Sequence, residues 1–269
     1  MTAPILFERR GAIATITLNA PDTRNALTPE MLCRLCDAIK AYAADPALRV
    51  AIVTGSGERA FCAGGDLGRT IPLLAGARAP ADDWDRRLLS DPEVLAASGL
   101  REYPLHKPVI AAVNGACMAA GFELLLGTDL RIAAEHAVFA LPEVKRAVIP
   151  FAGALARLPR QIPYCHAMEV LLTGDALSAA DALRLGLVNR VVPAAQVMAT
   201  AIALAERIAA NGPLAVQALK RTVIEASGRP LVDAYRLEDE SRRAVLATED
   251  AREGPRAFIE KRAPRYRGC

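Results

Sequence analysis

Lys107-Pro108-Val109-Ile110-Ala111-Ala112-Val113-Asn114-Gly115 decides how the chain is read. Residues 109–113 are an unbroken apolar run, short enough for a buried strand, and Asn114-Gly115 turns the chain. A helix is expected next, over about 119–127, followed by short strands over 130–133 and 137–140. Upstream, 49–54 is another short apolar strand. Thr28-Pro29-Glu30 starts a helix, with a hydroxyl cap and then proline at the first helical position. That helix runs to about Ala44, with Leu32, Leu35, Ile39 and Tyr42 on one face. Residues 5–10 and 12–19 read as two strands joined at Gly11. Residues 69–101 read as loop plus one helix covering a pocket. From about 152 the pattern is helical, with segments beginning near Pro163, Ser178, Ala194, Pro213, Leu231 and Glu249 and one strand over 187–192. Strand and helix alternate through the first part of the chain, and the end is almost all helix. The expected class is therefore α/β, with a core over 1–195 and a helical region over 196–269.

Composition narrows the function. The 269 residues are 52% hydrophobic and 23% charged, as in a soluble, well-packed globule. Alanine supplies 54 residues and the aromatics only 12, so the core is built from small and aliphatic side chains that permit close backbone contacts. Glycine and proline spread along the chain exclude a coiled coil, and no apolar stretch reaches the roughly 18 residues of a membrane span. The net charge of +3 is too balanced to argue for nucleic acid. A local basic excess closes the chain (Arg252, Arg256, Lys261, Arg262, Arg265, Arg267) and is open to two readings, a phosphate contact or a solvated tail. Six cysteines without a secretory signal, and without histidines at zinc spacing, read as reduced buried thiols in a cytoplasmic protein, with no metal site.

Three constellations could carry chemistry. Gly55-Ser56-Gly57-Glu58-Arg59-Ala60 fits a dinucleotide fingerprint, but the helix that must open directly after it is missing. Ala63-Gly64-Gly65-Asp66 and Ala119-Ala120-Gly121-Phe122-Glu123 are two small-residue turns, the second opening a helix. Side by side they would make a backbone oxyanion hole; apart, each glycine serves only its own turn. Glu123 and Glu143 are carboxylates in otherwise apolar surroundings. If they converge they can hold one water and share acid and base roles; otherwise a salt bridge to Lys145 or Arg146, or plain exposure, accounts for them.

Taken in order, the motifs resemble the crotonase (enoyl-CoA hydratase/isomerase) superfamily. They are Arg24-Asn25-Ala26-Leu27, Ala60-Phe61-Cys62-Ala63-Gly64-Gly65-Asp66-Leu67, 107–115, Gly121-Phe122-Glu123-Leu124, Asp129-Leu130-Arg131-Ile132-Ala133 and Phe139-Ala140-Leu141-Pro142-Glu143. Further on come Leu172-Thr173-Gly174, 182–189 and Phe258-Ile259-Glu260-Lys261-Arg262. The resemblance covers nearly the whole chain. It implies a spiral of ββα units with a C-terminal helical region that builds trimers, often paired into hexamers, and a coenzyme A thioester as ligand. By position it implies an oxyanion hole from the N–H groups of Gly65 and Ala120, and Glu123 and Glu143 as the acid/base pair adding water to a trans-2-enoyl-CoA. Glu143 is then the proton donor to C2, and Glu123 orients and activates water. Arg24, Ala26, Ala63, Asp66 and Leu67 match coenzyme A positions, with the peptide groups of Ala63 and Asp66 meeting the adenine. Phe258 and Lys261 match positions where a neighbouring subunit approaches the nucleotide. No metal or redox cofactor is implied, and the setting would be acyl-CoA breakdown, as in fatty-acid or lipid metabolism. Enoyl-CoA isomerisation and catalytically silent acyl-CoA binding are the alternatives. The chain departs from the family pattern at Ala119, Ala120, Phe122 and Phe151, which bears on the substrate and the acyl pocket more than on the fold.

Overall fold

A computed structural model of the chain describes residues 3–269. Strands β1 (Ile5–Arg10) and β2 (Ile13–Leu18) form an antiparallel hairpin through Gly11. Helix α1 (Pro29–Ala44) follows, capped by the Thr28 hydroxyl, which accepts from the Met31 N–H at 3.2 Å. It buries Leu32, Leu35, Ile39 and Tyr42, the face read from the sequence. Next come β3 (Val50–Gly55) and β4 (Ala60–Cys62). Residues 69–101 hold three short helices, not the one expected: α2 (Thr70–Leu74), α3 (Asp83–Ser90) and α4 (Pro92–Ser98). The aspartates of this segment are the reason. Asp82 and Asp91 cap α3 and α4 by accepting from Asp85 N–H (2.9 Å) and Glu93 N–H (3.0 Å). Asp85, fully buried, takes both arms of Arg78 and the Ala81 N–H.

The pattern then repeats. Strands β5 (Val109–Val113) and β6 (Ala116–Met118) lead into α5 (Ala120–Leu126), and β7 (Leu130–Ala134) and β8 (Val138–Ala140) lead into α6 (Ala154–Gln161). Each turn of chain gives one strand to each of two sheets. The larger has the order β1-β2-β3-β5-β7-β10, closed by β10 (Arg190–Val192); the smaller has the order β4-β6-β8-β9, closed by β9 (Leu177–Ser178). Strands β4, β6 and β9 are too short to carry a periodic signal. β2, β3, β5 and β7 run parallel in the larger sheet, and the central pair, β3 and β5, is buried throughout.

α7 (Tyr164–Thr173) and α8 (Ala179–Arg184) alternate with β9 and β10, and helices follow the sheets: α9 (Val197–Ala209), α10 (Pro213–Ala226), α11 (Leu231–Leu246) and α12 (Asp250–Ile259). α9 packs on β3, β5 and β7; α10 and α11 pair with each other. α10 and α11 bury no residue fully, and Leu219, Val223, Leu231 and Tyr235 remain exposed. Four cysteines are buried thiols, but Cys165 and Cys269 are exposed, against the expectation that all six are buried. Among the described residues no cluster could hold a metal ion, and no helix is long and apolar enough to cross a membrane.

Candidate active site

Two segments far apart in sequence are first zipped together. The Leu27 N–H donates to Gly64 O at 2.8 Å, the Asp66 N–H to Leu27 O at 3.0 Å and the Ala63 N–H to Arg24 O at 3.0 Å. Asn25, fully buried, anchors this join: its carboxamide accepts from the Ala20 N–H and donates to Ser56 O and Ala60 O. Asn114 works from the other side, accepting from the Gly55 N–H and donating to Gly57 O. A Cβ on Gly55 would lie 2.5 Å from the carbonyl oxygens of Ala60 and Phe61. That glycine therefore serves close packing, and the chain passes into β4 rather than into the helix a dinucleotide site needs.

The two small-residue turns meet. A Cβ on Gly64 (φ +98°) would sit 2.7 Å from Ala119 Cβ and 3.5 Å from the Ala120 nitrogen, and one on Gly121 would sit 2.5 Å from Cys62 Cβ. The Gly64 N–H is spent on Cys62 Sγ at 3.4 Å. Among the described residues, the N–H groups of Gly65 and Ala120 have no acceptor in the chain, and Ala120 opens α5. Two free donors on adjoining turns, one at a helix N-terminus, suit a developing oxyanion. Ala119 holds φ 50°, ψ −125°, a conformation a Cβ resists. Ala119→Gly should raise stability by about 1 kcal/mol, the relieved strain less the extra freedom of the unfolded glycine chain. A denaturation midpoint that stays put or falls would contradict this strain.

Glu123 lies in the first turn of α5 and is 2% exposed. Its Oε1 accepts from the Ala152 N–H at 2.7 Å and the Ala154 N–H at 3.1 Å. Burial pushes its carboxyl above the usual range, while these two donors and the charges of Arg101 and Arg157 pull it back. Glu143 stands in the 3-10 turn Pro142–Arg146 after β8. Its Oε2 is buried and has no hydrogen-bond partner among the described residues. Burial pushes Glu143 up to about 7, and the charge of Glu123 adds to the rise. Among the described residues neither glutamate has a salt-bridge partner: Lys145 pairs with Asp175 and Arg146 reaches Pro142 O. The pair couples electrostatically, so the proton that Glu143 keeps up to about pH 7 belongs to the pair.

Stability follows from the sign of the shift. The folded state binds the Glu143 proton more tightly than the unfolded chain, whose ordinary value is 4.5. This contribution is complete below pH 4.5 and is lost as pH rises through about 7. Melting temperature should therefore decline across that window, and Glu143→Gln should flatten the decline. An equal slope in the variant would refute the shift.

The bonds described above gather Arg24, Ala26, Ala63, Asp66 and Leu67 on one surface. The Asp66 carboxylate turns inward on its own loop, accepting from the Gly68 and Arg69 N–H groups, and Leu67 is 65% exposed. Phe258 and Lys261 are not among the residues so gathered. They sit at the end of α12, which packs on α11, and Phe258 is 85% exposed. Phe122 does not narrow the pocket: it is fully buried against Phe139. Phe151 is exposed, and its carbonyl takes Arg101. Sequence reading missed Asn25, Asn114, Ala152, Ala154, Arg101 and Arg157 as site-building residues. Only the two asparagines carry a signal, each beside a motif glycine or alanine run.

A family model described as Enoyl-CoA hydratase/isomerase matches residues 8–268. Enoyl-CoA hydratase EchA19 of Mycobacterium tuberculosis is 42% identical, covering 97% of this chain and 95% of that protein. Carnitinyl-CoA dehydratase of Proteus mirabilis is 39% identical with both chains covered in full. The crystal structure of enoyl-CoA hydratase EchA1 from Mycobacterium marinum is 40% identical, with full coverage of both chains and a TM-score of 0.88.

Proposed function

Because the chain belongs to the enoyl-CoA hydratase/isomerase family within the crotonase superfamily, we propose that it is an enoyl-CoA hydratase adding water across the double bond of a trans-2-enoyl-CoA. The observation that carries this reading is the electrostatic coupling of buried Glu123 to half-buried Glu143, whose Oε2 has no partner, beside two unpaired N–H groups, one of which opens the helix that carries Glu123. The Glu123 carboxylate takes a proton from water as its oxygen bonds to C3. The C2–C3 π electrons move toward the thioester, and the charge gathers on the carbonyl oxygen between the N–H groups of Gly65 and Ala120. The carbonyl re-forms as the protonated Glu143 delivers its proton to C2, leaving the 3-hydroxyacyl-CoA. These steps move only protons and electron pairs within the substrate, so they call for no metal or redox cofactor.

The coenzyme A moiety is assigned to the surface of Arg24, Ala26, Ala63, Asp66 and Leu67. With the Ala63 and Asp66 N–H groups already spent, the Ala63 carbonyl is the group left for an adenine amine. The exposed apolar faces of α10 and α11 support assembly into trimers or hexamers, in which Phe258 and Lys261 approach a neighbour's nucleotide. The setting proposed is cytoplasmic acyl-CoA breakdown. A second reading, dehydration of a 3-hydroxyacyl-CoA, is favoured by the full-length likeness to a carnitinyl-CoA dehydratase. It runs the same pair backwards.

The test follows the ultraviolet absorbance of the conjugated thioester in crotonyl-CoA, then in longer, branched and 3-enoyl thioesters. Loss of absorbance with a 3-hydroxy product establishes hydration. Bond migration in a 3-enoyl substrate without hydration would establish isomerisation. Binding of the whole panel without turnover would establish a silent binder.

A further inference from the structure

We propose that Arg101 and Arg157 form a reciprocal clasp that positions Glu123, so that both are positioning residues for the reaction. The inference rests on the hydratase reading above. Arg157, on α6, reaches out of the 151–157 segment: its guanidinium donates to Gly99 O at 3.3 Å and to Leu100 O. Arg101 reaches back from the 99–101 segment and donates to Phe151 O at 2.8 Å. Between the two straps lies the turn whose Ala152 and Ala154 N–H groups hold Glu123 Oε1. Space is cleared for the clasp by one glycine: a Cβ on Gly127 would lie 2.9 Å from Arg157 Nη1 and 2.7 Å from Leu100 Cβ. Gly153 has room for a Cβ against Arg157 and is called for instead by its φ of +120°, which shapes the turn that holds Glu123.

Arg157 is half-buried and, among the described residues, forms no ion pair, unlike Arg78 or Arg262, which close on carboxylates. A guanidinium taken from water and given only main-chain carbonyls needs a further compensation. The anion it feels is Glu123. The charged groups facing Glu123 are Glu143 from the Pro142–Arg146 turn, Arg101 from the 99–101 segment and Arg157 from α6. The two cations favour the ionised Glu123 and leave the shared proton on Glu143. Water activation at Glu123 and proton donation at Glu143 require that distribution. The clasp also ties the end of the 69–101 segment to the turn that holds Glu123, so a change in that segment acts on the carboxylate through Arg101.

The experiment is an infrared titration of buried carboxyls in the full chain, with Glu123→Gln to assign the signal. It is run for wild type, Arg101→Met, Arg101→Lys and Arg157→Met beside hydration kinetics across pH. The Glu123 signal should move to higher pH by about one pH unit in both methionine variants. The acid limb of kcat/KM should move with it, kcat should fall about tenfold and KM should hold within about twofold. Arg101→Lys should restore the titration, since it keeps the charge. An unmoved Glu123 signal in Arg101→Met, with melting temperature unchanged, overturns the clasp. Arg101 is exposed, so that variant carries the test even if Arg157→Met fails to fold. A shifted signal in a protein that hydrates no enoyl thioester would sink the hydratase reading and leave the clasp standing. Hydration without the shift would do the reverse.

Discussion

Replacing Glu143 with glutamine is expected to lower kcat/KM for enoyl-CoA hydration by roughly 10²–10⁴-fold with the fold intact. The variant keeps the shape and removes the proton that C2 needs. It also ends the desolvation of a carboxyl whose Oε2 has no partner, so the loss of rate comes without a loss of stability. The same geometry fixes the pH profile. Hydration uses protonated Glu143 and ionised Glu123; dehydration uses the opposite arrangement, with the same single proton on the pair. The overall equilibrium releases no proton, so both directions must share one kcat/KM profile. Activity should fall on the alkaline side as pH rises through about 7, the value to which burial lifts Glu143, and on the acid side as the second proton goes onto the pair. Stopped-flow rates in both directions check this. A residual rate in Glu143→Gln that still falls on the alkaline side near 7 would assign the limb elsewhere.

The second large effect is expected from a residue with no functional side chain. Gly64→Ala should lower kcat by roughly 10²–10³-fold, the loss typical of one oxyanion donor. At φ +98° the new Cβ is strained, and it would lie 2.7 Å from Ala119 Cβ and 3.2 Å from Met118 O. Relief must open the gap between the turns that carry Gly65 and Ala120, so the two N–H groups no longer converge on one oxygen. Binding of coenzyme A itself should weaken far less, because the thioester oxygen is a small part of that contact. Calorimetric titration with coenzyme A, beside single-turnover rates on the enoyl thioester, separates the two. Equal losses in binding and rate would point to collapse of the whole surface instead of the hole.

Legibility differed by element for physical reasons. β1, β2, α1, β3 and β5 were readable because each carries a full period of apolar residues or an explicit start signal such as Thr28-Pro29. β4, β6 and β9 were not, at three, three and two residues, and their pairing depends on partners far along the chain. Between 70 and 98 one helix was expected and three stand there, because aspartates that look like loop residues are caps, and because buried Asp85 is satisfied by Arg78. The candidate glutamates could be picked out as carboxylates in apolar segments, and the motif order pointed to their family. Whether they pair with Lys145 and Arg146 or face each other was undecidable from spacing.

The α/β class, the caps and turns, and the identities of the groups that could react are legible in the order of residues alone, because those depend on local periodicity and side-chain chemistry. The tertiary structure alone decided that the Gly64 and Ala119 turns touch, that Glu143 keeps a buried oxygen unpartnered, and that Arg101 and Arg157 reach across to brace Glu123. Each of these is a relation between segments joined only through the packing of two sheets. Burial and convergence set the proton affinity of a carboxyl, and neither is a property of any stretch of chain taken alone.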